Sequence, residues 1–152
     1  MARGHLSHID FSVGDPPRSI AFYDALLPAL GYRRVRPDAP EWQEPAPTRA
    51  AWGIRYPDDT TFEVDLRPAR EARLDERYDR HRPGPHHLAF QVEGDRAVDD
   101  LYRAMQAAGA EVLDPPHQYG GQPGYGEHYY AVFFADPDGF KIEVVHAAGS
   151  ST

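Results

Sequence analysis

Hydrophobic and polar positions alternate along "HIDFSV" (8–13), with Ile9, Phe11 and Val13 on one side and His8, Asp10 and Ser12 on the other. A period of two describes a strand with one face against an apolar core. "GDPPRS" then reads as a turn and a helix start. In "SIAFYDALLPALGY" the apolar positions Ile20, Tyr23, Leu26, Leu27 and Leu30 change to helical spacing. Gly31 is a natural stop for that helix, and Pro28 can end it early. "YRRV", "RAAWGIRY" and "TTFEVDL" follow as strands, with "PDD" as the turn between the last two.

The second half repeats this order. "HHLAFQV" predicts a strand and "GDRAVDDLYRAMQAAG" a helix, while "AEVL", "YYAVFFAD" and "FKIEVV" predict strands, the last reached through "PDG". "HLAFQV" at 87–92 restates "HIDFSV" 79 positions later, and Tyr23 and Tyr102 each lie 15 residues past the histidine of their copy. A period near 80 is too long for a solenoid and fits paired half-domains. The expectation is an α+β fold of tandem βαβββ modules. They would form a curved, mostly antiparallel sheet around a central cavity, with the helices outside. The modules are placed at 4–67 and 86–147, joined by a linker at 68–85.

Composition narrows the classes. The formal charge is −8, against a nucleic-acid surface. The basic residues are 15 arginines and one lysine, Lys141. Their densest run, 67–82, interleaves arginine with Asp and Glu as a solvated face does. Cysteine is absent, which removes disulfides, thiolate ligands and cysteine nucleophiles and suits a reducing cytoplasm. No apolar run approaches about 18 residues, so neither export nor membrane insertion is expected.

The repeat also carries chemistry. "TFEVDL" holds Glu63 and "FKIEVV" holds Glu143, at 55 and 56 residues from His8 and His87. Alternation sends Phe62, Val64 and Leu66, or Phe140, Ile142 and Val144, to the core, and the two glutamates to the other face. Two His and two Glu converging there would make a site for a divalent metal, Ni, Zn, Fe, Mn or Co, with N and O ligands. Asp65 shares the facing of Glu63 and is the alternative ligand. His86 neighbours His87 but by alternation points the opposite way, so it is left out.

These features resemble the vicinal oxygen chelate superfamily, the group of glyoxalase I, bleomycin-resistance proteins, fosfomycin-resistance enzymes, methylmalonyl-CoA epimerase and extradiol dioxygenases. The resemblance rests on the βαβββ duplication, on "FYDALLPALGY" and most specifically on "DPDGFKIE", and spans about residues 5–146. It implies that His8, Glu63, His87 and Glu143 occupy the family's four metal positions, as in glyoxalase I and the epimerase. It also implies chemistry in which the metal polarises a carbonyl and stabilises an enediolate, with Glu143 first and Glu63 second as the base. Homodimerisation is a further expectation from the resemblance.

Trp52 is a candidate pocket wall, although a core role suits it as well. Tyr129 or Tyr130 should face the cavity. "YGGQPGYGEH" (119–128) is a candidate lid carrying Glu127 and His128. No basic cradle for glutathione can be placed, so the small-molecule substrate stays open. Two rival readings stand beside the glyoxalase-type enzyme. One is a bleomycin-resistance-like sequestration protein with an aromatic pocket. The other is an Fe(II) dioxygenase using His8, His87 and Glu143.

Overall fold

The structure, a computed structural model of the 152-residue chain, describes residues 4–35, 48–70 and 76–148. It divides into two compact units, Met1–Glu76 and Arg77–Thr152. Each follows the predicted order. The first unit contains β1 (His8–Val13), α1 (Pro16–Leu26), β2 (Arg33–Arg34), β3 (Ala50–Arg55) and β4 (Thr61–Pro68). The second contains β5 (Leu88–Gln91), α2 (Asp95–Ala107), β6 (Glu111–Gln118), β7 (His128–Ala135) and β8 (Lys141–Ala148).

The strands form two four-stranded sheets, ordered β1-β4-β3-β2 and β5-β8-β7-β6. In each, the first and last strands of the unit pair in parallel and the other pairings are antiparallel. That is the topology βαβββ requires, since a helix must carry the chain across to make the parallel pair.

Local chemistry explains the helix ends. Asp15 caps α1 by accepting the Arg18 N–H at 3.2 Å, and prolines fill the first helical positions, where an N–H would be unpaired anyway. Pro28 converts the end into a short 3-10 turn (Pro28–Leu30), and Gly31 closes it at φ 87°, a left-handed conformation that glycine adopts without strain. α1 buries Ile20, Phe22, Tyr23 and Leu26, with the Tyr23 ring 6.0 Å from Trp52. α2 packs on β7 and β8 and buries Val98, Leu101 and Met105. Among the described residues no helix is long and apolar enough to cross a membrane.

Three boundaries differ from the sequence reading. β5 begins at Leu88, so His86 and His87 precede the strand and its alternation does not govern them. β6 runs on to Gln118 through Pro115 and Pro116, with register shifts; an edge strand tolerates both. The division between units falls inside the expected 68–85 linker, whose residues 71–75 lie outside the described ones. Its later part folds onto the second unit. Tyr78 donates its N–H to Asp138 O at 2.8 Å and its hydroxyl to Pro85 O at 2.6 Å, and Arg77 pairs with Glu111 at 2.7 Å.

Candidate functional site

In the second unit, antiparallel register fixes which side chains share a face. Tyr129, Ala131 and Phe133 of β7 lie opposite Ala147, Val145 and Glu143 of β8. Together with Lys141 they make one face, while Tyr130, Val132 and Phe134 share the other with His146, Val144 and Ile142. Glu143 is only 2% exposed, and both its oxygens are engaged. Oε2 lies 3.0 Å from His87 Nε2, and Oε1 accepts the Tyr129 hydroxyl at 2.5 Å. Burial, the bond to Glu143 and the charge of Glu143 all raise the Tyr129 pKa, so the phenol stays protonated and donating.

His86 belongs beside this pair, contrary to the alternation argument. Its Nδ1 is 2.8 Å from His87 Nδ1. Desolvation first, then the neighbouring His87, Lys141, Arg80 and His81, lower its pKa, which favours the neutral ring, able to accept a hydrogen bond from His87. Lys141, two residues before Glu143, holds its ammonium 3.6 Å from the Phe133 ring centroid. Desolvation lowers its pKa, opposed by Glu143.

Aromatic rings continue the face. Tyr125 lies 4.7 Å from Tyr129 and is stacked at 5.6 Å on Tyr119, which in turn meets Phe133 edge-on at 5.8 Å. Tyr125 comes from the expected lid, 119–128, of which His128 already belongs to β7. That segment is a closed loop, with Tyr119 N–H bonded to Tyr129 O and Gly121 N–H to Gly126 O.

In the first unit, β4 lies between β1 and β3, and its register places Glu63 directly across from His8 on one side and Gly53 on the other. Asp65 lies across from Asp10 instead. A cavity of about 540 Å³ opens on this face, lined by Gly31, Arg33, Val35, Gly53, Arg55 and Glu63, among others. Arg33 and Arg55 are basic residues that sequence inspection could not assign to a mouth; the pairing of Arg33 with Gly53 brings one of them there.

Trp52, His128 and Tyr130 do not lie on these faces. Trp52 is fully buried beside α1 and donates its indole N–H to Asp24 Oδ1 at 3.0 Å. Tyr130 donates to Asp99 Oδ1 at 2.8 Å, on the α2 side of the second sheet. His128 lies there too, its Nε2 2.7 Å from Asp95 Oδ1, and His146 Nδ1 approaches the same oxygen at 2.7 Å. Asp95, His128 and His146 thus bring three atoms of metal-ligand type within 4.8 Å of one another. Sequence reading missed this group. The available signal was the odd-even offset of His146 from Glu143, which puts it on the opposite face.

The comparisons agree with the topology. The profile of the Glyoxalase/Bleomycin resistance protein/Dioxygenase superfamily matches residues 5–144. The chain belongs to this superfamily. YqjT of Bacillus subtilis (strain 168), itself uncharacterized, is 33% identical over 141 residues, covering 92% of this chain and 97% of YqjT. The crystal structure of a Bacillus halodurans protein is similar at a TM-score of 0.70 and 26% identity, covering 95% and 96% of the two chains. That of a glyoxalase/bleomycin resistance protein from Albidiferax ferrireducens T118 is similar at 0.61 and 27%, covering 93% and 98%. The superfamily includes many enzymes and small-molecule binders.

Proposed function

We propose that the protein is a metal-dependent enzyme of the glyoxalase I and epimerase type, moving a proton on the carbon next to a carbonyl of a small substrate. The observation that carries this reading is the His87–Glu143 pair. Its 3.0 Å separation is the spacing of neighbouring ligand atoms on an ion with bonds of about 2.0–2.2 Å. A carboxylate buried as deeply as Glu143 needs charged or hydrogen-bonding partners, and an ion joining His87 and Tyr129 would complete them. In the first unit the register sets His8 beside Glu63, so each unit offers an imidazole and a carboxylate. An imidazole and a carboxylate, without thiolate, suit Ni, Zn, Fe, Mn or Co.

A divalent ion held by His87 and Glu143 would supply Lewis-acid polarisation of the substrate carbonyl. The chain's own residues supply the rest. Glu143 is the proton carrier, and the Tyr129 hydroxyl fixes the orientation of its carboxyl group. His86 accepts the Nδ1 proton that His87 must carry when its Nε2 is a ligand, the usual outer support of a metal-bound imidazole. Lys141, on the same face as Glu143, offers positive charge for an anionic substrate. A cytoplasmic location, expected from the sequence, and a homodimer, expected from the family resemblance, belong to the same proposal.

Elemental analysis of protein purified without added metal tests it. About one equivalent of a transition metal should be retained and should be lost in His87→Ala. Glu143→Gln should keep much of that metal yet lose proton exchange of small carbonyl substrates in D2O. One observation favours a second reading: the Tyr119, Tyr125, Tyr129 and Phe133 cluster suits a pocket that sequesters planar ligands without catalysis. Metal-free protein that binds aromatic compounds with undiminished affinity would reverse the order.

A further inference from the structure

The Asp95, His128 and His146 group lies on the α2 side of the second sheet, opposite the face of Glu143, and shares no residue with the His–Glu pairs. Asp95 opens α2, His128 opens β7 and His146 sits near the end of β8. Their side chains are between 24% and 46% exposed, so an ion from solvent can reach them. We propose that these three residues form a second divalent-metal site. It takes a borderline ion such as Zn, Co or Ni through Asp95 Oδ1, His128 Nε2 and His146 Nδ1, with water completing the shell.

The donor chemistry supports this. One carboxylate and two imidazoles, brought together from three separate elements, are a standard set for such ions. Both nitrogens approach a single oxygen at 2.7 Å, and the three donor atoms lie within 4.8 Å of one another. Neighbouring ligands on an ion lie about 3.0–3.4 Å apart, so loading requires each oxygen–nitrogen pair to open by about half an ångström and the two nitrogens, within 4.8 Å of each other, to settle at that spacing.

The proton positions give the site its character. When His146 Nδ1 is a ligand, its ring proton must sit on Nε2, which has no hydrogen-bond partner among the described residues. His128 is more constrained. Its Nδ1 faces the Gln118 side-chain nitrogen at 2.9 Å. Gln118 cannot simply reverse its amide, because its Oε1 accepts the N–H groups of Gly120 and Tyr129, both at 2.8 Å. The empty group therefore holds the His128 proton on Nε2, donated to Asp95. Loading moves that proton to Nδ1, where it meets another donor. Gln118 thus keeps the affinity low. A glutamate at 118 would bind both backbone N–H groups with one oxygen and accept the His128 Nδ1 proton with the other.

The test is titration of metal-stripped protein with Co(II), followed by visible absorption, and with Zn(II) by calorimetry. Two equivalents per chain are expected. One should vanish in His87→Ala and the other in His146→Ala. Asp95→Asn, which keeps a hydrogen-bond acceptor and so guards against a folding defect, should weaken the second alone. Gln118→Glu should tighten the second equivalent about 10–100-fold, the range of outer-sphere effects on metal affinity. A group that is only hydrogen-bonded would show no such gain. A single equivalent that depends on His87 and ignores His146, Asp95 and Gln118 would overturn the proposal. A single equivalent that depends on His146 and ignores His87 would leave it standing and count instead against the proposed catalytic centre.

Discussion

The Tyr129 hydroxyl and Glu143 Oε1 are 2.5 Å apart, which makes a tyrosine the direct partner of the most deeply buried carboxylate on its face. Tyr129→Phe removes the donor and leaves a buried oxygen unsatisfied. A loss of about 1–3 kcal/mol in unfolding free energy is expected, measured by urea titration. In a Glu143→Gln background the same change should cost less, because a neutral amide needs that donor less. The double-mutant cycle reads the coupling directly, and additive effects would mean that the pair is not an energetic unit.

Trp52 and Asp24 couple strand to helix in the first unit. Asp24 Oδ1 accepts both the Trp52 indole N–H at 3.0 Å and the Arg34 Nε–H at 2.9 Å, and the Arg34 guanidinium lies 4.7 Å from the centre of the Trp52 ring. Asp24→Ala strands the indole N–H in the core and should destabilise by about 1–3 kcal/mol. Asp24→Asn retains an acceptor and should cost less. Thermal melts of the two variants give the ranking, and equal losses would point to charge rather than the indole bond.

Gly120 is required by a close approach. A Cβ there would lie 2.2 Å from Glu127 O and 2.8 Å from Gln118 Oε1. Gly120→Ala should therefore cost about 1–3 kcal/mol through forced backbone movement. In the same loop, a Cβ on Gly126 meets nothing nearer than Ala148 O at 3.8 Å. Gly126→Ala should stay within about 0.5 kcal/mol of the native protein in melting experiments.

Tyr32 sets an alkaline limit. Burial, followed by the charge and hydrogen bond of Tyr56, raises its pKa above the ordinary tyrosine value of about 10. A raised folded-state pKa means a contribution that is complete below the unfolded value and lost as pH climbs toward the folded one. Melting temperature should fall above about pH 10, and Tyr32→Phe should flatten that fall. Parallel pH profiles for the two proteins would contradict the assignment.

The order of elements was legible because period-two and helical spacing are local, and because the second half repeats the first. Gly31 and Pro28 were legible as stops for the same reason. The facing of Glu63 and Glu143 followed from alternation within their own strands. Alternation misled at His86, since β5 starts at Leu88 and the residue lies in the approach to the strand, where backbone direction is set by the turn. Trp52 could be read either way from sequence; only the α1 packing puts it beside Asp24. The Asp95 group was missed although alternation sets His146 opposite Glu143, because its contacts span 33 and 51 positions and depend on how α2 docks on β7 and β8. Nothing in a linear pattern fixes that docking. The edge strand β6 was read too short, as two prolines mark a break in most contexts and are tolerated only where one side of the strand is unpaired.

Gln118 gathers the N–H groups of Gly120 and Tyr129 on one oxygen, which closes the 119–127 excursion at its neck. Residues beyond that neck can be exchanged, lengthened or shortened while the strands on either side keep their registration. Substitutions at Tyr125 and its neighbours can therefore accumulate without loosening β8, the strand of Glu143. Inheritance would then conserve the clasp while its contents drift.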